Sequence, residues 1–269
     1  MKKSILAFVG FLVAVAIIGS PPTVIPAGAE DTLRYSSSAQ IYEAFGQLRL
    51  NAFTQETGIE VDLFVCSSGS ALHRLISGVS DLASSTRGLY YRYKENGYME
   101  IPFCKDPLAV IVNMENPVEG LTALDIRRVF SKEVTNWNEI GGPDAPIVVV
   151  VPGKGTAAHK NFDLLAMDRK EIQYDYLSNL STQVIPAVEQ FPMAISFISH
   201  GSAMDHPSVR AISIDGRSIK DADYPYFQTF YYFTQGAPSG AAKAFIDFTR
   251  SDKGIALMKQ KGMIPIITP

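Results

Sequence analysis

Three times in this sequence an apolar, strand-like run ends in a short turn of Ser, Gly or Thr and passes straight into a helix-like segment. The fullest copy is Val149 to Phe162, V-V-V-P-G-K-G-T-A-A-H-K-N-F; Leu33 to Tyr35 runs into Ser36-Ser37-Ser38, and Val61 to Cys66 into Ser67-Ser68-Gly69-Ser70. The apolar run reads as a buried strand, glycine lets the backbone turn and approach a ligand, and Ser or Thr caps the helix that follows. The free amides of a helix's first turn, with the positive end of its dipole, favour an anion. Three such turns at one end of a sheet can converge on a single small anion, although each alone is also ordinary capping chemistry. A nucleotide P-loop is excluded, because the positions where it needs Gly and Ser or Thr hold Val148 and Gly155.

Between these turns the chain alternates. Ile41, Ala44, Phe45, Leu48, Ala52 and Phe53 recur at helical spacing from Gln40 to Thr57, and Gly58 stops the helix. Ile59 to Cys66 reads as a strand, Ala71 to Ser77 as a helix, Asp81 to Ser85 as a short strand and Ile101 to Asn113 as a long one. Val118 to Phe130 and Ala241 to Lys261 read as helical, and Ile147 to Val151 is the strand entering the third turn. Alternating β and α elements imply a parallel sheet with helices on its faces. Ligands of such sheets sit beyond the carboxyl ends of the strands, where Ser38, Ser67 and the Ser84-Ser85-Thr86-Arg87 cluster all fall.

Lys2 and Lys3 precede an apolar run from Ile5 to Ile18, and Ala27-Gly28-Ala29 supplies small residues for cleavage. Residues 1–29 therefore read as a secretory signal peptide, with export to the periplasm and a mature chain of about 240 residues from Glu30. A net charge of −3 without a basic face argues against a nucleic-acid partner. Cys66 and Cys104 are the only cysteines, and an oxidising compartment permits a bridge between them without requiring one. The histidines show no metal-binding spacing.

The most distinctive stretches are L-T-A-L-D-I-R-R-V-F from Leu121 and N-W-N-E-I-G-G-P-D-A-P-I from Asn136. They are supported by D-P-L-A-V-I-V-N from Asp106, the T-x-x-x-x-A-V-x-x-x-P-x-A-I-S-F run from Thr182, and A-F-I-D-F-T-R-S-D-K-G with G-M-I-P-I near the C-terminus. In these residues, over nearly the whole mature chain, the sequence resembles the periplasmic phosphate-binding proteins of bacterial ABC transporters. The resemblance implies the α/β type II periplasmic binding-protein fold, two lobes joined by two crossing strands around a central cleft. It places lobe 1 at 30–113, lobe 2 at 114–226, and the return strand with the rest of lobe 1 at 227–269, with crossings near Asp106 to Asn113 and Phe227 to Thr234. It also implies phosphate or a similar tetrahedral oxyanion as ligand, inner-membrane ABC permease subunits as partners, a monomer, and no cofactor.

Carried over by motif, Ser38 and the amide of Ala39 match the family's first ligand turn, and Ser67 its second. Thr86 stands where many members have an aspartate and short-chain members often have serine followed by arginine, here Arg87. Lys154, Gly155 and Thr156 match a Ser-Gly-Thr triplet. The arginine that long-chain members place before that triplet falls near Val150 and is absent. Thr86 offers a hydroxyl where a carboxylate would accept the proton of hydrogen phosphate, and Lys154 or Arg87 is expected to supply the missing cation. A sensor or scaffold on the same fold is the alternative function. A hydrolytic enzyme is disfavoured, because no G-x-S-x-G elbow or thiol-nucleophile pattern is present.

Overall fold

The structure, a computed structural model, describes residues 32–178 and 183–267. The signal-peptide reading of residues 1–29 lies outside them. The first part of the chain forms β1 (Thr32–Ser38), α1 (Ala39–Thr57), β2 (Glu60–Cys66), α2 (Ser68–Ile76), β3 (Leu82–Ser85) and α3 (Tyr91–Glu95). The long β4 (Tyr98–Asn113) leads into β5 (Gly120–Leu121), α4 (Ala123–Phe130), β6 (Val148–Pro152), α5 (Ala157–Ala166), β7 (Tyr176–Ser178) and α6 (Val184–Gln190). Then follow β8 (Ala194–Ser199), α7 (His200–Ala203), β9 (Val209–Ala211), β10 (Ser213–Ile214), β11 (Phe227–Gln235), α8 (Gly240–Arg250), α9 (Asp252–Gln260) and β12 (Ile264–Pro265).

The sheet runs in the order β2-β1-β3-β11-β4-β8-β6-β7. Parallel pairing of β1 with β2 and β3, and of β6 with β7 and β8, places the turns after β1, β2, β3 and β6 at carboxyl strand ends, as the alternating pattern requires. One strand ties the two halves together. The first part of β4 pairs antiparallel with β11, from Tyr98 opposite Gln235 to Pro107 opposite Phe227, and its second part pairs with β8 from Leu108 to Val112. The partner of this crossing lies just ahead of β11, where the Leu108 amide donates to Tyr226 O at 2.8 Å.

The apolar side chains segregate accordingly. Leu33, Tyr35, Phe53, Phe103, Tyr232 and Phe245 pack in one core; Val110, Phe130, Trp137, Val149, Phe162 and Phe197 pack in another, with Phe162 stacked on Phe197 at 3.8 Å. Separate cores on either side of two crossing segments make the α/β molecule two-lobed.

The expected elements differ from the observed ones at definable points. Helix α1 is broken at Phe45 (φ −163°, ψ 18°), which shifts the phase of its inward face: Arg49 and Leu50 are buried and Leu48, expected inward, is exposed. Gly58 ends it in the left-handed conformation at φ 72°, its amide returning to Thr54 O. The helix expected from Val118 starts only at Ala123, because Gly120 and Leu121 pair with β10 and Thr122 caps the first turn through the Asp125 amide. The segment from Ala241 to Lys261 is two helices, since Ser251 takes extended angles (φ −68°, ψ 164°) and caps α9. Both cysteines are free thiols, Cys104 buried and Cys66 half-buried.

Candidate functional site

The four turns at the carboxyl strand ends meet at the junction of the lobes. A cleft of about 550 Å³ is lined by Ser38, Ala39 and Gln40 from α1 and its cap, Ser67 and Ser68 from the second turn, and Gly155, Thr156 and Ala157 from the third. Of the residues singled out in the sequence, Ser38, Ala39, Ser67, Gly155 and Thr156 are thus brought around one space. The adjoining pocket of about 170 Å³ shares Ser67, Ser68, Gly155 and Ala157 and adds Arg87 and Lys160.

The three caps differ in what their hydroxyls do. Ser67 accepts the Ser70 amide at 3.1 Å. Thr156 accepts the His159 amide at 3.2 Å and donates to Gly153 O at 2.8 Å. Each closes its own helix. Ser38, by contrast, makes no side-chain cap to α1; its Oγ instead accepts from Ser68 Oγ at 3.2 Å. The Ser38 hydroxyl therefore leaves the first amides of α1 uncapped, which suits a bound anion.

Thr86 is buried, its amide 3.4 Å from Ser68 Oγ and its carbonyl accepting from Asn161 Nδ2 at 3.2 Å, while its Oγ1 has no partner. Arg87 is exposed at the rim of the smaller pocket. Lys154 lines neither space: its ammonium lies 3.3 Å from Glu171 Oε1 on the exposed side of the turn. The cation that the third motif does bring to the pocket is Lys160, which the sequence reading missed. Its spacing was the available signal, because Lys160 lies four residues after Thr156, one helical turn along the same face.

Beneath the cleft lies an amide network. Gln228 on β11 donates through Nε2 to Asp106 Oδ2 at 2.8 Å, and its Oε1 accepts from Gln40 Nε2 at 3.0 Å and Asn161 Nδ2 at 2.9 Å. Asp106 also accepts from Ser199 Oγ at 2.7 Å and the Gly201 amide at 3.3 Å. Complete burial pushes the Asp106 carboxyl up to about 6; the bonds from Ser199, Gln228 and the backbone amides hold it from rising further. His159 is buried, with Nδ1 2.8 Å from Pro152 O. Among the described residues no group of His, Cys, Asp and Glu side chains is placed to hold a metal, and no helix is long and apolar enough to cross a membrane.

The arrangement binds rather than transforms: hydroxyls and helix-terminal amides face a cleft between two lobes, with cations at its edge. Comparisons with known proteins point the same way. The phosphate-binding protein PstS of Bacillus subtilis is 26% identical over 165 residues, covering 59% of this chain and 55% of the Bacillus protein, so the match spans about half of that relative. The phosphate-binding protein PstS of Borreliella burgdorferi is 22% identical over 237 residues, covering 82% of this chain and 84% of its own. A Clostridium perfringens chain, assigned as a phosphate ABC transporter substrate-binding protein and solved with bound phosphate, superposes with a TM-score of 0.79 at 24% identity. That alignment covers 88% of this chain and 100% of the Clostridium chain. An ABC-type phosphate transport receptor from Vibrio cholerae superposes with a TM-score of 0.69 at 24% identity, again over 88% of this chain and 100% of its own. The family model described as "PBP superfamily domain" matches residues 23–253. The chain belongs to the PBP superfamily and has the type II periplasmic binding-protein fold.

Proposed function

We propose that the chain is an exported solute-binding protein that captures phosphate, or a closely similar tetrahedral oxyanion, between its lobes and delivers it to the permease subunits of an ABC importer. The observation that carries this reading is the convergence of Ser38, Ser67 and Thr156, each at the start of a different helix, on one cleft. The relatives from Bacillus subtilis and Borreliella burgdorferi bear phosphate-binding names, which agrees with this chemistry. In this reading residues 1–29 are the export signal, lobe 1 comprises 30–113 and 227–269, lobe 2 comprises 114–226, and the mature protein acts as a periplasmic monomer. Ser38, Ala39, Ser67, Thr86, Gly155 and Thr156 hold the anion, and Arg87 and Lys160 supply charge at the rim.

A thermal melt of the mature chain from Glu30 tests this. A ligand at a hundred times its dissociation constant stabilises the folded state by about 2.7 kcal/mol, which in a chain of this size raises the melting temperature by roughly 5 to 10 °C. The panel is phosphate, arsenate, sulfate, molybdate and tungstate. No shift with any of the five removes the anion-binding function.

A further inference from the structure

Most polar groups placed toward the cleft are donors or two-way hydroxyls: serine and threonine side chains and the first amides of α1, α2 and α5. A site of donors alone holds any tetrahedral oxyanion. It does not separate hydrogen phosphate from sulfate, which differ at neutral pH in that only the former carries a proton. Discrimination needs an atom that can accept and cannot donate.

Gln40 has such an atom. It is the second residue of α1, lines the cleft, and is only 3% exposed. Its Nε2 donates to Gln228 Oε1, and its own Oε1 is buried without a hydrogen-bond partner. The amide orientation is fixed by the network. The Asp106 carboxylate accepts from Gln228 Nε2, so Gln228 must present Oε1 to its other neighbours. Gln40 must then turn its NH₂ to that oxygen, as Asn161 does, which leaves Gln40 Oε1 as the acceptor. A buried acceptor without a partner carries its full desolvation cost, and a ligand hydroxyl relieves it. Thr86 Oγ1 is also unpartnered, but a hydroxyl serves either anion by rotating.

We propose that Gln40 is a specificity-determining residue: its Oε1 accepts the proton of a protonated tetrahedral oxyanion, hydrogen phosphate or hydrogen arsenate, and rejects sulfate by setting two acceptors face to face. The inference rests on the anion-binding reading above. It gives that site its selectivity from a position the motif comparison did not include.

The test is calorimetry with inorganic phosphate and with sulfate at pH 8, on the parent, Gln40→Met, Gln40→Glu and Glu43→Gln; Glu43 is a second acceptor-bearing residue that lines the cleft. Gln40→Met keeps the length of the side chain and removes the acceptor. It should weaken phosphate by ~10- to 100-fold and leave sulfate unchanged or tighter, so that the preference collapses. Gln40→Glu keeps an acceptor, and should keep the preference while weakening both anions through its charge. Equal weakening of both anions in Gln40→Met would show that only the bond to Gln228 was lost, and overturns the assignment. So does a collapse of the preference in Glu43→Gln with none in Gln40→Met. A parent that binds neither anion overturns the anion-binding reading itself, and the selectivity claim with it.

Discussion

Asn161 Nδ2 lies 3.2 Å from Thr86 O and 2.9 Å from Gln228 Oε1, so helix α5 is hydrogen-bonded directly to the turn after β3 and to strand β11. Both partners are acceptors and Asn161 supplies both protons. The contact ties the two sides of the cleft together without passing through a ligand, so in a hinged two-lobed molecule it would favour the closed arrangement. Net hydrogen bonds contribute about 1 kcal/mol each, so Asn161→Ala should shift the closed–open balance toward open by roughly 1 to 2 kcal/mol. Asn161→Asp should shift it further, because a carboxylate would face two carbonyl oxygens. Solution scattering of the anion-free variants should show a larger radius of gyration than the parent, and anion affinity should fall in the same order. An Asn161→Asp profile superimposable on the parent's would show that this contact does not hold the lobes together.

The legible parts of this molecule were those in which local pattern and tertiary context agree. The passage from strand to helix at Ser38, Ser67 and Thr156 is set by residues within a few positions of one another, and Ser67 and Thr156 cap their helices as expected; Ser36 to Ser38, expected as a turn, continue β1, and Ser38 does not cap α1. Side-chain direction was not legible. Lys154 occupies the turn after β6, yet it extends to Glu171, whose position depends on how the segment after α5 folds back. Beyond the break at Phe45 the helical period still finds Ala52 and Phe53 but misses Arg49 and Leu50 and turns Leu48 inward, since a continuous period cannot register a bend. The network of Gln40, Asp106, Asn161 and Gln228 joins residues up to 188 positions apart and has no local signature.

Lys154 and Lys160 give opposite expectations. Lys154 is bonded to Glu171 and both side chains are more than half exposed, so Lys154→Ala should change anion affinity by less than about twofold, the pair itself being worth about 0 to 1 kcal/mol. Lys160 and Arg87 share the pocket beside the cleft. Their charges act on the anion through partly screened surroundings, so Lys160→Ala or Arg87→Ala should each weaken binding by about three- to tenfold, and less at high salt. Dissociation constants at two ionic strengths decide between the cations. A tenfold loss in Lys154→Ala would return that residue to the site.

Arg49 tests the first lobe's core. Its guanidinium is fully buried, 4.4 Å from the Phe45 ring centre and 5.0 Å from that of Phe245, and it donates to the hydroxyls of Tyr35, at 3.2 Å, and Tyr232. Among the described residues no carboxylate forms an ion pair with it. Its charge is held by aromatic faces and phenol oxygens instead. Tyr232→Phe keeps the ring and removes one acceptor from a buried cation, which costs about 1.5 to 3 kcal/mol and should lower the melting temperature by roughly 3 to 12 °C. An unchanged melting temperature would mean that the rings alone carry the guanidinium.

Asp106 and His200 should make opposite contributions to the pH dependence of stability. Burial raises the Asp106 carboxyl to about 6 in the folded chain, so its contribution to stability is fully present below its unfolded value near 3.8 and is lost as pH rises through about 6. The rise is equivalent to about 3 kcal/mol. His200 is shifted the other way, to about 4, first by burial and then by the charge of Lys220. Its contribution is present above the unfolded value near 6.5 and is lost as pH falls toward about 4. The His200 backbone amide is also bonded to Asp106, and the two side chains titrate over the same window. In the parent they oppose each other, and the unfolding free energy should change little between pH 4.5 and 7 on their account. Asp106→Asn leaves His200 unopposed, so that variant should lose stability on acidification. His200→Gln leaves Asp106 unopposed, so that one should gain it. Chemical denaturation of the three proteins at pH 4.5, 5.5, 6.5 and 7.5 reads the slopes directly, and two variants with slopes parallel to the parent's would show that neither group titrates in this window in the folded state.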